Sequence, residues 1–127
     1  TKTESQNTAI IGSSLGGLFA HYTAIQRPDV FGKVGVFSPS FWYNESVFKF
    51  STKNYDLIKS RLYYLVGGKE GAGMVRSMNN MVTLMKANGF PEEHICSKVV
   101  KYGTHSESFW KSEFQSAISW LFNLDKQ

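Results

Sequence analysis

Ser14 stands in Gly12-Ser13-Ser14-Leu15-Gly16, a G-x-S-x-G pattern with Gly17 as a further small residue, directly after the apolar run Thr8-Ala9-Ile10-Ile11. A serine hydroxyl attacks a carbonyl only when a base takes its proton and a third group orients that base. The chemistry this pattern suggests is therefore nucleophilic, provided that a strand precedes the serine and a helix follows it. In that context the turn at the serine is sharp, its backbone is strained, and the glycines let strand and helix approach closely. A Gly/Ser-rich turn without chemistry is the alternative.

The elements meet the condition. Residues 8–12 read as a short buried strand. Beyond the serine, Leu15, Leu18, Phe19 and Tyr22 follow helical spacing. The helix is expected to stop near Arg27, because Pro28 disfavours helical angles in the residue before it. Further strands are predicted at 33–37, 61–66 and 97–102, with an irregular segment at 38–60 that holds a short helix. A helix near 74–88 carries Val75, Met78, Val82 and Met85 on one face and stops at Asn88-Gly89. A last helix, 107–123, turns Trp110, Phe114, Ala117, Ile118 and Leu121 inward. Strands alternating with helices of this length predict an α/β fold, a parallel sheet flanked by helices.

Composition fits one folded domain. The chain has 127 residues, 42% of them hydrophobic, with a formal net charge of +4. Lys and Arg are scattered, which argues against a nucleic-acid or membrane-binding patch. The single Cys96 excludes an internal disulfide and a cysteine-rich metal site. No cofactor and no metal are expected. No stretch approaches a membrane span and no signal peptide opens the chain, so a soluble protein is expected, its compartment left open.

In a parallel sheet, chemistry collects beyond the carboxyl ends of the strands. His105 follows the fourth strand in "KYGTHSESFW", on that edge; His94 precedes the strand and belongs to the opposite edge, and His21 lies two turns into the first helix. Glu70 follows the third strand in "YYLVGGKEGAG", within a glycine-rich loop, whereas Asp56 precedes its strand, Asp29 closes the first helix and Glu107 opens the last. A solvated loop carboxylate remains the plain alternative for Glu70, as a loop histidine does for His105.

"IIGSSLGGLFAHYTAIQRPDVFGKVGVFSPSFWYN", "LVGGKE" and "GTHSESFW" together resemble the esterase branch of the α/β-hydrolases that includes esterase-D-like enzymes, feruloyl and acetyl-xylan esterases and the trilactone siderophore esterases. The order serine, acid, histidine is the one these hydrolases use. The resemblance implies Ser14 as nucleophile, His105 as base and then acid, and Glu70 as the orienting acid in place of the commoner aspartate. It implies a small-molecule ester as substrate, with Phe41 and Trp42 lining its pocket, and the Leu15 N–H as one oxyanion donor. The strands that the branch places before the elbow, and the second oxyanion donor with them, have no counterpart here. The chain therefore reads as the C-terminal half of the fold, about four strands, with upstream strands missing. An exposed sheet edge or open helix faces would then favour a homodimer. The rival readings are a non-catalytic, ligand- or partner-binding domain and a thioesterase or acyltransferase using the same triad.

Overall fold

A computed structural model describes residues 4–124. Four parallel strands, β1 (Ala9–Ser13), β2 (Lys33–Phe37), β3 (Arg61–Gly67) and β4 (Ile95–Val100), lie side by side in chain order. Helices α1 (Leu15–Gln26), α2 (Ser46–Asn54) and α3 (Ala72–Ala87) make the three connections, and α4 (Glu107–Leu121) follows β4. β2 and β3 are buried along nearly their whole length, as strands covered on both faces must be. Ser13 pairs with Phe37 and Phe37 with Leu65, so β1 and β2 end level, while β3 and β4 run two residues further to the Gly67–Val100 pair. No helix among the described residues is long and apolar enough to cross a membrane.

Crossovers of one hand between consecutive strands put their helices on one face of the sheet. There Leu18, Ile25, Val47, Met78, Met81 and Met85 pack on Val34, Val36, Leu62 and Tyr64. On the other face, among the described residues, α4 packs alone, with Phe109, Ala117 and Leu121 against Phe37, Tyr63 and Leu65. One helix covers the middle of the sheet and leaves β1 half-buried throughout. Beside β1 runs an open groove of about 370 Å³ lined by Ile11, Phe37, Trp110 and Phe114. Among the described residues the outer edge of β1 has no strand partner.

The first helix begins and ends as the sequence requires, with Arg27 already out of helical angles before Pro28. Its buried face differs from expectation. Gly17, Leu18, Ala20, His21, Ala24 and Ile25 face inward, while Leu15 and Phe19 are exposed. The small residues decide this, because a Cβ on Gly17 would lie 2.8 Å from the Phe37 carbonyl oxygen. The helix can sit that close to the sheet only on its glycine and alanine side. In α4, Phe114 is 48% exposed rather than inward, because it overhangs the groove beside β1. β4 begins and ends two residues earlier than expected, since the Gly103 N–H bonds to the Val100 carbonyl and turns the chain there.

Phe41 corrects a further expectation. It sits in a 3-10 turn, Phe41–Tyr43, is fully buried, and meets the rings of His21 and Phe48 edge-on in the larger core. The turn points this first aromatic into the core rather than toward the surface beside Ser14. Trp42 and Tyr43 are left at the surface, 60% and 67% exposed.

Candidate active site

Ser14 occupies the junction between β1 and α1 with φ 59 and ψ −123. A side-chain-bearing residue at positive φ is strained by about 1–3 kcal/mol and persists only where its surroundings impose it. Here they do so through the backbone. The Ser14 N–H donates to the Phe37 carbonyl at 2.9 Å, and the Ser14 carbonyl accepts from Gly17 at 3.0 Å and from Ser40 at 3.1 Å. Gly12 is required for the same turn: a Cβ there would lie 2.1 Å from the Gly16 carbonyl oxygen. Gly16 itself faces open space, so the second glycine of the pattern is free of steric demand.

The structure brings Ser14, His105 and Glu70 into one hydrogen-bonded line. Ser14 Oγ is 3.0 Å from His105 Nε2, and His105 Nδ1 is 2.6 Å from Glu70 Oε1. The imidazole is 42% exposed at the rim, whereas the Glu70 side chain is 1% exposed. A buried carboxylate needs its lone pairs met. Besides His105, Glu70 Oε2 accepts from the Ser38 hydroxyl and from the Gly67 N–H, each at 2.6 Å. Serine, imidazole and carboxylate thus stand in the order that proton transfer away from the hydroxyl requires.

Two glycines allow the acid and base loops to meet. A Cβ on Gly67 would lie 2.3 Å from the Gly103 carbonyl carbon, and one on Gly103 would lie 2.5 Å from Phe109 Cε1. The Lys69 N–H donates to the Gly103 carbonyl at 2.9 Å, pinning the loop that carries Glu70 to the one that carries His105. The Ser106 hydroxyl caps α4 by accepting from the Phe109 N–H. His105 is thereby held one residue before the helix cap.

The residues set aside in the sequence lie elsewhere. His94 is exposed before β4, Asp29 pairs with Arg27 at 3.1 Å, and Glu107 stands in the first turn of α4. His21 is fully buried, with Nδ1 2.8 Å from the Tyr64 hydroxyl and Nε2 2.7 Å from Ser51 Oγ. Burial lowers its pKa to about 3, so it stays neutral. Leu15 opens α1, where the first N–H groups have no intrahelical partner. Trp42 stands two residues beyond Ser40, whose hydroxyl is 3.5 Å from Ser14 Oγ.

Sequence reasoning missed Ser38 and Trp110 as members of the site. Trp110 Nε1–H donates to Ser38 Oγ at 2.8 Å, and the indole meets the His105 ring edge-on at 5.0 Å. Ser38 follows the carboxyl end of β2, so the strand-end rule that found Glu70 and His105 points to it too.

A family model described as Putative esterase matches residues 1–121. The uncharacterized protein YbbA of Bacillus subtilis is 26% identical over 130 residues, which cover 97% of this chain and 52% of that protein. The chain thus spans about half the length of this curated relative. Among solved structures, the enterobactin esterase of Shigella flexneri superposes with a TM-score of 0.82 at 22% identity, over 96% of this chain and 32% of that one. The feruloyl esterase module of Clostridium thermocellum gives 0.78 at 16% over 93% and 46%. The S-formylglutathione hydrolase of Staphylococcus aureus gives 0.73 at 18% over 95% and 53%. Identities this low speak for a shared α/β fold. The family model speaks for more, since it covers nearly the whole sequence: the chain belongs to the Putative esterase family.

Proposed function

We propose that the protein is a serine carboxylic-ester hydrolase working through an acyl-enzyme. The observation that supports this is the line Ser14 Oγ, His105 Nε2, His105 Nδ1, Glu70 Oε1 at 3.0 and 2.6 Å, set on a strained strand-to-helix turn. In the first half-reaction Ser14 Oγ attacks the ester carbonyl as its proton passes to His105 Nε2. The Leu15 N–H at the start of α1 donates to the oxyanion. His105 then returns the proton to the departing alkoxide, leaving Ser14 acylated. In the second, His105 takes a proton from water, hydroxide adds to the acyl carbon, and Ser14 Oγ leaves with the proton from His105. Glu70 stays ionised, holds the ring with Nε2 toward the serine, and stabilises the imidazolium. Trp42, exposed beside Ser40, lines the approach of the substrate.

The protein names attached to this fold include an enterobactin esterase, a feruloyl esterase and an S-formylglutathione hydrolase. A substrate panel therefore includes short p-nitrophenyl esters, feruloyl esters, lactones and thioesters. The deciding experiment treats the protein with a fluorophosphonate and locates the adduct by mass spectrometry. Labelling at Ser14, lost in Ser14→Ala together with at least three orders of magnitude in kcat, is the expected result. A Ser14→Ala variant that keeps more than about a tenth of the parent kcat moves the nucleophile elsewhere, Ser13 being next in line. Hydrolysis of no ester, with no adduct, returns the chain to the class of hydrolase-like binding domains.

A further inference from the structure

Glu70 is held by more than its histidine. Its Oε2 takes the Ser38 hydroxyl and the Gly67 N–H, each at 2.6 Å, which leaves Oε1 for His105 Nδ1. Ser38 Oγ in turn accepts Trp110 Nε1–H at 2.8 Å. The direction of this chain is fixed by chemistry. An indole N–H only donates and an ionised carboxylate only accepts, so the one hydroxyl proton of Ser38 points at Glu70. Ser38 is fully buried and adopts φ 45, a left-handed backbone that glycine would take without strain. Glycine, however, would bring no hydroxyl. The Ser38 N–H is bonded to the Leu65 carbonyl at 2.6 Å, so the strained residue is tied down on both sides.

We infer that Ser38 and Trp110 are positioning residues: the relay Trp110 Nε1–H, Ser38 Oγ–H, Glu70 Oε2 sets the roll of the carboxylate so that Oε1 faces the base. Trp110 acts twice, because its ring also meets the His105 imidazole edge-on at 5.0 Å with the planes at 86°. One side chain on the first turn of α4 therefore locates both the base and the holder of the acid. The kinetic side of this inference rests on the esterase reading above. Its structural side does not.

A hydrogen bond to a charged group contributes about 1.5–3 kcal/mol, and each 1.4 kcal/mol is a factor of ten. Ser38→Ala is therefore expected to lower kcat about 10- to 100-fold with KM changed less than about twofold. Trp110→Phe keeps a ring against His105 and deletes the N–H; it is expected to cost about 3- to 10-fold. Because both act through one carboxylate, the double variant falls no further than Ser38→Ala alone, and neither adds a loss in a Glu70→Gln background. The low-field proton resonance of His105 Nδ1–H, assigned by its absence in His105→Gln, supplies a readout without substrate. It moves in Ser38→Ala and in Trp110→Phe at near-parental melting temperature. Additive losses, losses that persist with Glu70→Gln, or an unmoved resonance beside a lowered melting temperature would each make Ser38 and Trp110 mere packing. If the parent hydrolyses nothing, the esterase reading fails while the resonance still decides the relay.

Discussion

Acidification from pH 7 to pH 5 is expected to cost the fold about 2 kcal/mol through His21. His21 is fully buried between α1, β3 and α2, and the polar groups touching it, the Tyr64 and Ser51 hydroxyls, are uncharged at these pH values. Burial lowers its pKa from 6.5 to about 3. The unfolded chain takes up the proton below about pH 6.5, while the folded chain refuses it until about pH 3. Between these limits the unfolded state binds more protons, so stability is complete above pH 6.5 and falls as the pH falls. At pH 5 the gap is about 1.5 pH units, each equivalent to 1.36 kcal/mol, hence about 2 kcal/mol. That is a sizeable share of the roughly 5–15 kcal/mol typical of a domain. Urea denaturation of the parent and of His21→Gln at pH 7, 6 and 5 checks this. Glutamine offers a donor and an acceptor but no proton uptake, so the variant starts about 1–2 kcal/mol less stable at pH 7 and its acid dependence is flatter by about 2 kcal/mol. If both proteins lose stability in parallel on acidification, His21 is not the group responsible.

Gly12→Ala is expected to destabilise the fold by several kcal/mol or prevent folding, since its Cβ would overlap the Gly16 carbonyl, whereas Gly16→Ala meets nothing and is neutral to about 1 kcal/mol stabilising; thermal melts of both variants distinguish these outcomes. Gly103→Ala drives a Cβ into the buried Phe109 ring and the Gly67 backbone, and the expected result is a clearly lowered melting temperature together with a loss of kcat in the protein that still folds. Under the proposed mechanism Glu70→Gln lowers kcat less than His105→Ala does, because the histidine moves the proton and the acid only orients it; full activity in Glu70→Gln would remove the carboxylate from the site.

The sheet, its order of elements and the convergence of Ser14, Glu70 and His105 were legible because each depends on one local pattern plus a rule about strand ends. The close contacts were less so. Nothing in the spacing of Leu15, Leu18, Phe19 and Tyr22 says that the helix must turn its small residues to the sheet; that follows from the distance between Gly17 and Phe37, which is a tertiary fact. Phe41 and Trp42 are neighbours of like type, and only the 3-10 turn decides which of them goes inside. Trp110 has the periodicity of a core residue and is also half-buried against the smaller core, so its N–H contact to Ser38, 72 residues away, left no trace in the local pattern.

The consecutive order of the strands bears on how the molecule is made. β2, β3 and β4 each pair with the strand synthesised just before them, so this part of the sheet can be laid down in the sequence in which the ribosome delivers it. β1 and β2 can dock, with α1 over them, before β3 exists, and none of these four strands has to insert between two already paired. Of the three, His105 arrives last and lies before α4, which packs on the second face. The hydrogen-bonded line from Ser14 to Glu70 is therefore complete only once His105 has been translated, and a nascent chain stalled before β4 has the strained turn at Ser14 without the imidazole beside it.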